Sequence, residues 1–360
     1  MFVNLKVSDQ DIKKIRDGAH TIIFCDPDPL WVTLYFGETA YCHNGYDTEV
    51  CVITGFWHAA SFGNIFSEED FVAMLEDTDT SSYSQMVIEV KKADRDYLID
   101  GHMHLEYGPL SKEYVLEFVE AAKMKGLDEI NILDHTHRFK EFRGCYRHLE
   151  IYPEQAGWLD SSTKFCNTLE EYEELIKEIK KMDLGINIRF GLEVCYTKDT
   201  EEQLRDILKN YHFDFLTGAV HSFNHILYDM PFSKKLLWDK YDVNDIYRDY
   251  YVAVMYCINS GLFDRLAHPD TIKMFDYYPD YDLMETYHNL AKALNRQGML
   301  AENNTGCHYR YGHKDIGLSD EVLKVFKEEK TPLITASDAH HPEDVGSYIK
   351  EATLRIKGGR

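Results

Sequence analysis

The chain has 360 residues, of which 44% are hydrophobic and 13% aromatic, and a formal net charge of -23 at pH 7. That length and apolar content allow one barrel-sized core and a small second unit. The acidic balance argues against nucleic acid or an anionic membrane as the bulk partner, and no apolar run approaches the ~20 residues that span a bilayer.

Residues 1–95 read as a small α+β domain of unknown role. The opening Met1-Phe2-Val3-Asn4-Leu5-Lys6 is followed closely by Ser8-Asp9-Gln10-Asp11 and does not have the pattern of a signal peptide. Thr21–Phe24, Trp31–Phe36 and Val50–Ile53 are short β-like runs punctuated by Gly, Asn, Asp and Pro. Ser67-Glu68-Glu69-Asp70 opens a predicted helix through Met74. His20, His43 and His58 stand alone and read as surface or packed imidazoles. The polar stretch Asp77–Ser82 and the charged run Lys91–Asp96 mark the boundary.

From residue 96 to 360 strands and helices alternate. Strand Tyr97–Asp100 precedes a helix from Ser111 to Lys125, with an apolar stripe at 115, 116, 118, 119 and 122 and Gly126 as its C-cap. Strand Glu129–Leu133 leads into a longer excursion over 137–167. Thr168-Leu169-Glu170-Glu171 is a capping box for a helix through Met182. Strand Ile186–Phe190 follows, and Thr200-Glu201-Glu202-Gln203 reads as a second capping box. Strand Phe213–Thr217, helix Val243–Asn259 with its stop at Gly261, and strand Phe263–Ala267 come next. A helix over Asp282–Arg296, strand Met299–Ala301, a last full helix from Ser319 and strand Pro332–Ala336 complete the series. Such alternation implies a parallel sheet, and seven units with converging ends suggest a barrel.

Each of these seven runs ends in a metal-type ligand: His102 and His104, His135, Glu193, His221, His268, near Glu302, and Asp338 with His340. Ligands at the C-terminal ends of parallel strands converge on one mouth. His102 and His104 share a face of an extended segment, as do Asp338 and His340. Asp100 is placed to orient a ligand imidazole from behind. Glu193 follows an apolar strand, where an unpaired carboxylate costs several kcal/mol; its two oxygens can bridge two cations. Nitrogen and oxygen donors without thiolates suit zinc, manganese or iron. Arg138 and Arg310 are candidate clamps for a phosphate. His137, His308, His313 and His341 read as spectators near the mouth. The aromatic segment from Trp238 to Tyr256 reads as packing, with one or two rings walling the pocket. The eight cysteines are scattered with no CxxC pair, so reduced thiols in the cytoplasm are expected; Cys195 and Cys307 fall closest to the site.

Taken together, Asp100-Gly101-His102-Met103-His104, Asp134-His135, Gly191-Leu192-Glu193-Val194, Phe213 through His221, Gly261 through Asp270, Glu302-Asn303-Asn304-Thr305 and Ser337-Asp338-Ala339-His340-His341-Pro342 resemble the polymerase-and-histidinol-phosphatase (PHP) family, in particular its histidinol-phosphatase branch. The resemblance covers about residues 97–350. It implies an α/β fold, a distorted (β/α)7 TIM-like barrel, preceded here by the small α+β domain that lies outside the match. It also implies a cytoplasmic, metal-dependent phosphatase that converts L-histidinol phosphate and water to L-histidinol and phosphate through a metal-bridging hydroxide, with Glu193, Asp338 and His340 catalytic.

Two or three divalent metal ions would be held: one by His102, His104, Glu193 and Asp338, a second by Glu193, His221 and His268, and a third by His135 and His340. The family pattern usually adds another His about six residues after the His-x-His pair. Here that stretch is Leu105-Glu106-Tyr107-Gly108-Pro109-Leu110, so either Glu106 takes the place or the third site is weak or empty. The stretch Tyr309–Lys314 also departs from the pattern. Three alternatives stay open beside histidinol phosphate: another small phosphomonoester, phosphotyrosine or a nucleotide; an amidohydrolase-like barrel, against which Glu193 argues by standing where a carbamylated lysine is common; and a non-catalytic, metal-bound interaction module.

Overall fold

The computed structural model describes residues 3–19, 21–25, 39–44, 47–58, 86–92 and 95–358. The predicted strand 31–36 and helix 67–74 lie outside the described residues. The chain divides into two compact units, Met1–Tyr97 and Leu98–Arg360.

The first unit carries strands β1 (Val3–Lys6), β2 (Thr21–Cys25), β3 (Thr39–His43), β4 (Thr48–His58) and β5 (Met86–Lys92), in the sheet order β1-β3-β4-β5-β2. A helix, Asp9–Arg16, starts at Ser8, whose hydroxyl accepts from the Asp11 N–H. Its buried Ile12 and Ile15 join Leu5, Ile23, Val50 and Ile53 among the unit's buried apolar residues.

The second unit is built on seven parallel strands: β6 (Ile99–Met103), β7 (Glu129–His135), β8 (Asn187–Cys195), β9 (Phe215–Ala219), β12 (Arg265–Leu266), β13 (Leu300–Asn304) and β14 (Leu333–Ala336). They lie side by side in chain order, each joined to the next by a crossover that contains an α-helix, as parallel pairing favours. The two edges meet: Ala339 pairs with Met103, the His104 N–H donates to the Ala339 carbonyl, and the Asp338 N–H donates to the His102 carbonyl. The sheet is therefore a nearly closed (β/α)7 barrel. Between β9 and β12 a short hairpin, β10 (Ser222–Phe223) with β11 (Ile226–Leu227), turns through Asn224 and His225, both at positive φ (50° and 63°). That is the mirror-type turn a tight hairpin favours.

Several predicted signals hold. Ser111 caps its helix, Gly126 closes it in the left-handed region, and the Thr168–Glu171 capping box forms in both directions. Thr200 does not form one: its hydroxyl turns back to the carbonyl and hydroxyl of Thr197, and the helix Glu201–Leu208 starts without a side-chain cap. Besides Asp9–Arg16 in the first unit, three helices of the second unit escaped the periodicity. Pro153–Leu159 and Gly306–Tyr311 are too short to show a stripe, and Ile349–Lys357 follows the last strand.

Candidate metal centre

The strands run further than their apolar stretches. β8 continues from Phe190 through Glu193 to Cys195, and β13 from Ala301 through Glu302 to Asn304. This carries His102, His104, Glu193 and Glu302 into full burial inside the barrel's C-terminal end. Buried polar groups need partners, and here they find one another. His102 Nε2 and His104 Nε2 are 2.8 Å apart, and Glu193 Oε2 lies 3.5 Å from each. Asp338 Oδ1 is 3.3 Å from His104 Nε2. On the other side, Glu193 Oε1 is 3.0 Å from His221 Nε2 and 2.9 Å from His268 Nε2. His135 Nε2 approaches Glu193 Oε2 to 2.9 Å, yet that oxygen has no aligned hydrogen bond.

Close approach without alignment is what donors aimed at a common point look like. At this separation one of the two Nε2 atoms donates to the other; once that proton is lost, two lone pairs beside a carboxylate oxygen without a hydrogen bond would fit a cation between them. The ligand atoms of His102, His104 and Asp338 lie within 4.8 Å of one another, as do those of His135, Glu193 and His221, those of His104, His135 and His340, and those of Glu106, His135 and His137. All eight expected ligand residues thus come together. His268 is held at φ 26° and Asp338 at φ 61°, both rare for residues with a Cβ.

Electrostatics follow the packing. Burial works against the Glu193 charge, but His135, His102 and His221 hold its pKa well below the usual carboxylate range. Burial is likewise overcome at Asp338, chiefly by Arg310. His340 is pushed down to about 4 by burial and Arg310, and burial and His135 keep His104 neutral. His102 and His221 shift the other way: burial opposes their charge, but the carboxylates around them, Glu302 and Glu193 at His102 and Glu193 and Asp229 at His221, hold both well above the usual imidazole range. Neutral imidazoles and ionised carboxylates are the forms that bind a cation, so a metal binding there would release protons from these two rings.

The outer partners are partly unforeseen. Asp100 does not orient a ligand ring; its carboxylate is taken by the Ser337 N–H and hydroxyl and the Gly346 N–H. Glu302 does that work instead, 2.8 Å from His102 Nδ1. Asp229, brought back by the β10–β11 hairpin, lies 2.6 Å from His221 Nδ1. Arg138 is not at the mouth. Its guanidinium is buried and spent on Asp134 (3.0 Å), Asn167 (2.9 Å) and the Gly108 carbonyl (3.1 Å). Lys164 and Arg310 are the cations that line the mouth.

Arg310 donates to Asp338 at 2.7 Å and lies 2.7 Å from His340 Nδ1. His137, read as a spectator, lies against Glu106 and lines the mouth, whereas His308, His313 and His341 do not line it. No ring from Trp238 to Tyr256 walls the pocket; Tyr107, Tyr146, Trp158 and Tyr311 do. Cys195 and Cys307 lie in the lining, with Cys145 beside them.

The PHP domain family model matches residues 100–306. The chain belongs to the PHP domain family. A Deinococcus radiodurans protein named "Probable histidinol-phosphatase" is 27% identical over 269 residues, covering 73% of this chain and 95% of that protein. The Bacillus subtilis histidinol-phosphatase is 28% identical over 273 residues, covering 71% of this chain and 97% of that protein. Among solved structures, the Lactococcus lactis histidinol phosphate phosphatase, complexed with zinc, L-histidinol and phosphate, superposes with a TM-score of 0.54 at 19% identity, over 72% of this chain and 93% of that one. At that identity it is the PHP barrel fold that is shared.

Proposed function

We propose that residues 96–360 form a divalent-metal-dependent phosphomonoesterase whose substrate is L-histidinol phosphate, releasing L-histidinol and phosphate. One observation carries the reading: a fully buried Glu193 ringed by strand-end imidazoles, with one carboxylate oxygen lacking any hydrogen bond. Membership of the PHP family and the names of the relatives support the chemistry and the substrate. The donor set, nitrogen and oxygen with no thiolate in the cluster, suits zinc, manganese or iron. No helix among the described residues is long and apolar enough to cross a membrane; with unpaired cysteines among them, a reducing, cytoplasmic setting fits.

Divalent cations bound there would lower the pKa of an attacking water and take up charge on the phosphoryl oxygens. The chain's own residues supply the rest. His102, His104 and Asp338 would hold one cation and His221 and His268 another. Glu193 turns one oxygen to each group and fixes their separation. Glu302 and Asp229 set the ring orientations of His102 and His221 from behind. Arg310 stands in the mouth with a rigid, permanently charged fork suited to phosphate oxygens.

The test is phosphate release from L-histidinol phosphate beside phosphotyrosine, nucleotides and other small phosphomonoesters, with protein reloaded separately with manganese, zinc and iron. Fast, selective release from L-histidinol phosphate is expected. Release only from another ester would move the substrate and keep the chemistry; no release from any of them by metal-loaded protein would overturn the reading.

A further inference from the structure

The corner of the centre around Glu106 differs from the rest. Glu106 is 6% exposed, and nitrogens ring its carboxylate. Oε2 lies 3.5 Å from His135 Nδ1, 3.7 Å from His137 Nδ1 and 3.4 Å from Lys164 Nζ, and Oε1 lies 3.4 Å from His340 Nε2. By donor type alone this corner would take a cation.

Lys164 decides against it. Its side chain is 5% exposed, with Nζ 4.7 Å from the centre of the Trp158 ring and 3.4 Å from His137 Nε2. An ammonium can only donate, and a neutral imidazole has one lone pair. The His137 lone pair therefore sits at Nε2, facing Lys164, and its Nδ1 carries hydrogen towards Glu106. That leaves His137 nothing to offer a metal. A dication between Glu106 and His137 would also stand beside an ammonium whose side chain is nearly buried, where water screens repulsion least. Drawing Glu106 away would leave the buried ammonium without its carboxylate, which is strongly unfavourable. The imidazoles grouped at this corner, His135 and His340 beside His104, are also engaged: His135 turns its Nε2 to Glu193, and His340 Nδ1 accepts from Arg310, which leaves its Nε2 carrying hydrogen towards Glu106. Residues 105–110 add no imidazole.

We infer that the Lys164 ammonium is the resident cation of the Glu106 corner, so that this centre holds two metal ions where the family resemblance implies a third. The inference rests on the metal-centre reading above. It assigns Lys164 a positioning role: it neutralises Glu106 and fixes the tautomer of His137 at the rim of the mouth.

The experiment is metal content per chain on the full-length protein, stripped, reloaded with manganese and freed of excess, together with anomalous diffraction from crystals of it. Two equivalents and two anomalous peaks are expected, neither within ligand distance of Glu106. Lys164→Met keeps an aliphatic stem on Trp158 and removes the charge; it is expected to admit a third equivalent beside Glu106, while Lys164→Arg stays at two. A third peak beside Glu106 in the unsubstituted protein would overturn the inference without help from any variant. So would a folded Lys164→Met protein that still binds two. An unsubstituted chain that takes up no metal would bring down the metal-centre reading itself, and the inference with it.

Discussion

Glu193 presents its two oxygens to different neighbours: Oε1 to His221 and His268, and Oε2 to His102, His104 and His135. Glu193→Gln preserves the shape but replaces one acceptor with a donor and removes the charge shared by both groups. Turnover is expected to fall by more than the ~100-fold typical of losing an outer partner, with reduced metal content. Unchanged turnover in steady-state assays of phosphate release would rule out the proposed centre. Glu302 gives a graded comparison. It touches His102 Nδ1 and also accepts from the His268 N–H, so Glu302→Gln should leave the ligands present but less firmly oriented. A loss of about 10–100-fold in metal affinity is expected, read by competition with a chromophoric chelator. Full affinity would mean that the Glu302 charge does not orient the ring. The sequence pointed to Glu302 as a strand end but not to its task, because chain position does not say which carboxylate will lie behind which imidazole. Asp229 and Lys164 carried no motif at all; a hairpin and an irregular excursion bring them in.

At the scale of elements, the strands were legible from their apolar runs and their far ends were not. β6, β8 and β13 each run on past the apolar runs legible in the sequence, to Met103, Cys195 and Asn304, and bury polar residues among these last positions; a hydrophobic pattern weakens where the functional residues start. The alternation, the strand order and the convergence of ligands followed from chain order, since parallel strands must cross over the same way each time. The roles expected of Arg138 and Asp100 fail for the same reason. Both side chains are consumed locally, by groups the pattern cannot weigh. A glycine shows how tightly β8 and β9 are fitted. A Cβ on Gly191 would stand 2.6 Å from the Phe215 carbonyl and 2.5 Å from its ring, and the carbonyl cannot yield without moving β9. Gly191→Ala is expected to cost about 1–3 kcal/mol as an overpacked core substitution, measured by urea unfolding of the metal-loaded protein. A change within a few tenths would show that the two strands can slide apart freely.

At the scale of the whole molecule, every proposed ligand lies between His102 and His340, inside the unit Leu98–Arg360, so the chain's response to losing its metals should be concentrated there. The centre gathers the buried carboxylates Glu106, Glu193, Glu302 and Asp338 in a chain whose net charge is already -23. It also holds His268 and Asp338 in backbone conformations that cost of order 1–3 kcal/mol each. Protein dipoles and neighbouring imidazoles offset part of this, and bound cations would offset more. By linkage, a metal present at 100 times its Kd stabilises the form that binds it by about 2.7 kcal/mol, which for a unit of this size corresponds to roughly 5–10 °C in Tm. Stripping the protein with a chelator should therefore lower the midpoint followed by near-ultraviolet circular dichroism, which reads the packed tyrosines and tryptophans of the barrel. Manganese or zinc should restore it, and magnesium, which prefers oxygen donors and gives up its waters reluctantly, should restore less. Identical midpoints with and without metal would mean that the strand-end imidazoles and carboxylates satisfy one another, and that the cluster is a structural network and no metal centre.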